Sequence, residues 1–127
     1  MNAYKKEELE QQAKLSQLVD KVLQWRADRN LNDQVVGKAF EKLVEEVQEI
    51  SEALEIGDEA SLVDAIGDTL VCLIGICQVS HLKLEGCLAY AYNEIKDRKG
   101  LLKNGLFVKY GDLSPQEREE LDARIRG

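Results

Sequence analysis

Apolar residues recur at helical intervals along most of the chain. Leu15, Leu18, Val19, Val22 and Trp25 share one stripe, which predicts an amphipathic helix from Lys5 to Ala27. The polar stretch from Arg29 to Asp33, with Asn30 and Asn32, breaks it. A second helix is predicted over Gln34 to Ile56, its apolar face centred on Leu43, Val47, Ile50 and Leu54, with Gly57 as its stop. The third, from about Ser61 to Val79, is apolar nearly all round and needs cover on several sides. A fourth starts at Leu84, aligns Cys87, Leu88, Ala91 and Ile95, and ends near Gly100.

The end of the chain changes character. Asn104-Gly105 between Leu101-Leu102 and Leu106-Phe107-Val108 is a two-residue hairpin signal. Ser114-Pro115-Gln116-Glu117 reads as a cap, a first-turn proline and a capping-box glutamate, opening a short charged helix to Arg126. The expectation is one all-α domain over 1–127, a bundle of four main helices in 5–100 with a small hairpin and a peripheral helix in 101–127. At 127 residues the chain is long enough for a core and short for two domains. Cover for so apolar a third helix is more readily supplied by a second subunit, so an oligomer is expected.

The net charge of −7 sharpens this picture once it is resolved along the chain. From Glu41 to Asp68 stand ten acids and one base, Lys42, a net of −9 that leaves +2 for everything else. A broad basic surface for nucleic acid is disfavoured by these totals. An acidic disordered tail is disfavoured too, because the acids are interleaved with Leu, Val and Ile. Met1 to Leu15 lacks the apolar stretch of a signal peptide. The run from Leu62 to Val79 is short for a bilayer and interrupted by Asp64 and Asp68, so no membrane span is expected. Cys72, Cys77 and Cys87 are odd in number, and two lie in that apolar run, as free thiols in a reducing compartment would.

Some of the acids stand where a solvated helix face would not put them. At ~100° per residue, Glu46 falls ~60° from the centre of the predicted apolar face, with Glu49 next round and Glu45 further out. Glu52 and Glu55 lie on the far side, as surface acids do. Carboxylates at a core margin are costly unless protonated, paired or metal-bound, and only Lys42 is at hand locally. Asp64 and Asp68 share one face of the apolar third helix, where aspartate is a poor interior residue and two acids repel. A hairpin of helices turning at Gly57-Asp58 brings the two acid groups together. Converging carboxylates are the donor set of hard cations, Mg²⁺ or Mn²⁺. A di-iron bundle needs two Glu-x-x-His pairs against the single His81 here. Zinc spacing, a phosphate-binding glycine loop and an EF-hand loop are absent from the sequence. Five bases between Lys96 and Lys109 (Lys96, Arg98, Lys99, Lys103, Lys109) beside one acid, Asp97, suit a polyphosphate ligand.

Glu45-Glu46-x-x-Glu49, followed by Asp68 in Asp-Ala-Ile-Gly-Asp-Thr-Leu-Val, resembles the MazG-like all-α nucleoside triphosphate pyrophosphohydrolases, whose signature is Glu-Glu-x-x-Glu and then Glu-x-x-Asp on the next helix. The resemblance runs from about Trp25 to Lys109, is closest to short phage-type members, and includes Asn93-Glu94-Ile95-Lys96-Asp97-Arg98. It implies hydrolysis of an NTP or dNTP between the α and β phosphates, giving NMP and pyrophosphate. It also implies Mg²⁺, with Mn²⁺ as the substitute, on Glu46, Glu49 and Asp68, and Glu45 as ligand and water-activating base. Lys42, Lys96 and Arg98 would hold phosphate oxygens, and Asn93 and Trp25 the nucleoside, although Trp25 at its helical spacing is more often core. A homodimer or homotetramer is implied, with no nucleic-acid or membrane partner, in the cytoplasm (the host's, for a phage-encoded chain). One position departs from the pattern: Ala65 stands where the family has its second-helix glutamate, and Asp64 is the substitute ligand. That departure supports the rival reading, a non-catalytic helical oligomer that binds nucleotide or a protein. A Nudix-type enzyme is disfavoured, because its Arg-Glu-x-x-x-Glu-Glu spacing is missing.

Overall fold

The computed structural model describes residues 14–126, which fall into two compact units divided between Cys87 and Leu88. Among the described residues the chain is all-α, with five α-helices and one two-stranded hairpin. The first unit opens with α1, Leu15–Ala27; the part of the expected helix before residue 14 lies outside the described residues. Asn30, left-handed at φ 58°, turns the chain into a single 3₁₀ turn, Leu31–Asp33. Two helices of 21 residues follow, α2 (Val36–Ile56) and α3 (Glu59–Val79). Next comes α4, Leu84–Ile95, which runs from the first unit into the second.

The α2–α3 hairpin is the frame of the first unit. Gly57, at φ 78°, ends α2 and donates its N–H to Ala53 O at 2.9 Å. Asp58 then starts α3: its Oδ1 accepts from the Ala60 N–H at 3.2 Å and its Oδ2 from the Ser61 hydroxyl at 2.6 Å. With only Gly57 and Asp58 between them the helices run antiparallel, side by side for about 30 Å. The buried positions of α2 are Ala39, Glu46 and Ala53, seven residues apart, flanked by the half-buried Leu43 and Ile50. This differs from the expected face, since Val47 and Leu54 are exposed. The helix is apolar on two sides, and periodicity alone does not say which side the neighbour takes. The side carrying the alanines admits the closer approach and is the one α3 occupies. Glu46 therefore sits in the middle of the buried stripe, not at its margin.

On α3 the buried residues are Ala65, Ile74, Gly75 and Cys77, while Val63, Ile66, Leu70 and Leu73 are exposed. Among the described residues α3 is the helix whose length and composition would let it cross a bilayer. It nevertheless carries Asp64 and Asp68 and packs against both α2 and α1. The three cysteines are free: Cys77 buried, Cys72 half-buried and Cys87 exposed.

In the second unit α4 stops at Ile95, short of the expected Gly100. The Lys96 N–H bonds Tyr92 O at 2.8 Å and the Arg98 N–H bonds Ile95 O at 2.9 Å, closing a turn before Gly100 opens a strand. Strands β1 (Gly100–Lys103) and β2 (Leu106–Lys109) pair antiparallel, with Leu101 opposite Val108. Asn104 and Gly105 both have positive φ, 53° and 80°, as a type I′ turn requires. A 3₁₀ turn, Tyr110–Asp112, leads to α5, Pro115–Arg126. The capping box forms as read from the sequence: the Glu117 N–H donates to Ser114 Oγ at 3.2 Å, and the Ser114 N–H to Glu117 Oε1 at 2.9 Å. The Tyr110 hydroxyl donates to Asp122 at 2.8 Å, Lys99 pairs with the same carboxylate at 3.2 Å, and Leu113 and Leu121 are buried.

Candidate functional site

The acids of α2 and α3 converge because both helices present them at the hairpin interface. One carboxylate oxygen from each of Glu46, Glu49 and Asp68 lies within 4.8 Å of the others. Glu46 is 5% exposed, Asp68 half-buried and Glu49 exposed, so the cluster opens outward from the buried Glu46. Lys42, one turn before Glu46, places Nζ 3.1 Å from Glu46 Oε1 and 3.4 Å from Glu45 Oε2. Glu46 Oε2 is sealed from solvent and receives no hydrogen bond. The Glu49 carboxyl lies close by in the same cluster, and its contact with Glu46 is the first cause holding it above the usual carboxylate range. Burial, and then the charges of Asp64 and Glu46, push Asp68 up as well. A buried acceptor without a donor, in a group of mutually repelling acids, is a site short of positive charge, and it fits a hard divalent cation.

Glu45 and Asp64 stand outside this trio. Glu45 is a further ~100° round α2, exposed and turned to Lys42. Asp64 is exposed one turn before Asp68 and acts on it through charge. Ala65, at the position of the pattern's glutamate, is 2% exposed inside the helix packing. Trp25 does not enter the core: it is 48% exposed, with the Arg29 guanidinium 4.3 Å above its ring. An apolar groove of about 360 Å³ runs from it along Leu18, Lys21, Val22 and Val71. Asn93, Lys96 and Arg98 are exposed residues of the second unit. Arg98 lines a depression of about 780 Å³ there with Lys99, Phe107, Lys109 and Tyr110. Of the expected basic strip, Lys99 and Lys103 are already paired, with Asp122 and Glu117.

A cleft of about 430 Å³ in the first unit joins the acids to residues the sequence did not single out. Arg26, Leu31, Gln34, Ala39, Lys42, Glu46, Asp68, Val71 and Cys72 form its walls. Arg26 is 7% exposed. A weak signal for it existed, because Arg26 falls four residues after Val22 and seven after Val19, on the apolar stripe of α1.

An all-α hairpin of helices with a Glu/Glu/Asp cluster opening outward from the buried Glu46 is the arrangement of the all-α pyrophosphohydrolase type. Residues 8–94 match the phosphoribosyl-ATP pyrophosphohydrolase family, of the same superfamily as the MazG-like enzymes, and the chain belongs to that family. It is also similar to an uncharacterized 18.2 kDa protein in the rep-hol intergenic region of Haemophilus phage HP1 (strain HP1c1), with 34% identity over 71 residues. That match covers 55% of this chain and 44% of the phage protein, so the chain spans less than half of its relative. No solved structure matches the chain.

Proposed function

We propose that the chain hydrolyses the α–β phosphate bond of an NTP or dNTP, giving a nucleoside monophosphate and pyrophosphate, with Mg²⁺ (or Mn²⁺) on Glu46, Glu49 and Asp68. The observation that carries this reading is Glu46 Oε2, sealed, without a donor, and grouped with two further carboxylates. When bound, the metal would supply Lewis-acid neutralisation of the triphosphate. Glu45, exposed beside the trio and paired with Lys42, is the carboxylate outside the trio that would take a proton from the attacking water. Lys42 already balances Glu46 and is poised at the cleft wall toward phosphate oxygens. Asn93, Lys96, Arg98 and Trp25 enter as nucleotide contacts through the sequence resemblance, and Asp64 as an outer ligand acting by charge.

The exposed apolar faces of α2 (Phe40, Val44, Val47, Leu54) and α3 (Val63, Ile66, Leu70, Leu73) support a homodimer or homotetramer. The likeness to a phage protein supports a short, phage-type member working in the host cytoplasm. A second reading, nucleotide binding without turnover, is favoured by Ala65, buried where the family pattern has glutamate.

A panel of NTPs, dNTPs and phosphoribosyl-ATP, assayed for pyrophosphate release with Mg²⁺ and Mn²⁺, separates these readings. Turnover of a common NTP or dNTP, lost in Glu46→Gln and Asp68→Asn with helicity intact, supports the first. Turnover of phosphoribosyl-ATP alone moves the substrate to the family's namesake. Absence of turnover across the panel leaves the binding module.

A further inference from the structure

We infer that Arg26 is the anion-binding residue of the cleft, its guanidinium taking a phosphate oxygen of the ligand opposite the acidic trio; this rests on the polyphosphate reading above and names a contact within it. Three of its five N–H groups are positioned by neutral oxygens. Nε donates to Gln78 Oε1 at 2.8 Å, and Nη2 donates to Leu31 O and to Gln34 Oε1, both at 3.1 Å. Nη1 lies over Gly75, and no hydrogen bond joins it to a protein atom. Among the described residues no carboxylate pairs with Arg26: Glu46 is bound to Lys42 instead, and Asp68 makes no ion pair.

An arginine 7% exposed, its guanidinium bonded only to neutral acceptors, has given up water without gaining a counter-charge. Burial alone is the first influence on its acidity, and an arginine stays protonated throughout. The same cleft is thus lined by two residues of opposite sign that each keep an unmatched group, Arg26 with Nη1 and Glu46 with Oε2. A ligand carrying both a cation and an oxyanion, a metal-bound polyphosphate, matches both at once.

The seat of the guanidinium is built for it. A Cβ at Gly75 would stand 2.7 Å from Arg26 Cζ, 2.8 Å from Nη1 and 3.0 Å from Nη2. Any side chain at 75 therefore displaces the guanidinium while leaving the rest of α3 in place, and alanine is the better helix former. Gly75→Ala is accordingly a second way to move Arg26 without removing it.

The test uses the full chain and inorganic pyrophosphate, titrated calorimetrically with and without Mg²⁺, for wild type, Arg26→Gln, Arg26→Lys and Gly75→Ala. Mn²⁺ affinity of the trio and turnover are measured in parallel. Loss of one charge-assisted contact weakens pyrophosphate about ten- to hundredfold in Arg26→Gln and Gly75→Ala, with Mn²⁺ affinity changed far less. Arg26→Lys, which keeps the charge and loses the fork, falls between. Should Arg26→Gln unfold, Gly75→Ala decides. Pyrophosphate affinity equal to wild type in Gly75→Ala, or in a folded Arg26→Gln, overturns the inference even where turnover is present. Arg26-dependent pyrophosphate binding without any nucleotide turnover upholds it and removes the hydrolase reading alone.

Discussion

Lys42 Nζ stands 3.1 Å from one oxygen of Glu46, while the other oxygen of that carboxylate meets no donor at all. One lysine, itself exposed and raised in pKa by Glu46 and Glu45, half-satisfies a buried acid that also faces Glu49 and Asp68. Glu46→Gln keeps the shape and removes the charge. It is expected to leave metal-free melting unchanged or raised, to abolish the stabilisation by Mg²⁺ or Mn²⁺, and to cut pyrophosphate release on the order of 100-fold. Thermal melts with EDTA and with each metal, beside the activity assay, check this. A variant that still gains stability from metal would remove Glu46 from the ligand set.

The pH dependence has a definite sign. Glu49 and Asp68 are both held above their ordinary values of 4.5 and 3.8, by Glu46 and by burial respectively. The folded state therefore binds more protons than the unfolded chain between those values and the raised ones. Through that window stability falls as pH rises, and acidifying toward the ordinary values recovers it. Melts from neutral pH down through the carboxylate range in EDTA should show this gain. Saturating divalent metal, which displaces those protons, should abolish or reverse it.

Asp64 and Asp68 separate by role. Asp68 lies in the trio, whereas Asp64 is exposed and acts on it only through charge. Asp68→Asn is expected to weaken Mn²⁺ binding about 100-fold and Asp64→Asn less than about fivefold. Calorimetric titration of Mn²⁺ into both variants measures it, and equal losses would make Asp64 a direct ligand.

Ser114 and Glu117 exchange bonds at the start of α5, and the Ser114 N–H and hydroxyl hold Glu117 below the usual carboxylate range. Ser114→Ala should cost about 1 kcal/mol in urea unfolding. A lowered folded pKa contributes stability above the unfolded value and loses it as pH falls through the folded one. The loss from Ser114→Ala is therefore largest near neutrality and shrinks in acid.

The outer apolar faces predict association. Leu70→Asp on the exposed side of α3 should shift the particle toward monomer in light scattering, because a charge there is stranded in any buried contact. A wild-type chain that is already monomeric at all concentrations would leave those faces without a partner copy.

Much of the fold is legible in the sequence. Helical periodicity, Gly57, the Asn104-Gly105 turn and the Ser114 capping box are local signals, set by backbone geometry within a few residues, and the elements appear where these signals lie. Glu46, Glu49 and Asp68 were legible as acids out of place, because a carboxylate near an apolar stripe is costly wherever the chain goes. What the sequence by itself could not determine is which side of a two-faced helix meets its neighbour. Alanines at 39 and 53 let α3 approach on the side that puts Glu46 at the centre of the contact, and Val47 and Leu54 turn outward. Arg26 left only a weak trace in the sequence, its place on the apolar stripe of α1, and its surroundings depended on tertiary structure. Its partners Gln78 and Gly75 lie about fifty residues away, and only the packing of α1 on α3 brings that charge into the same cleft as the acids.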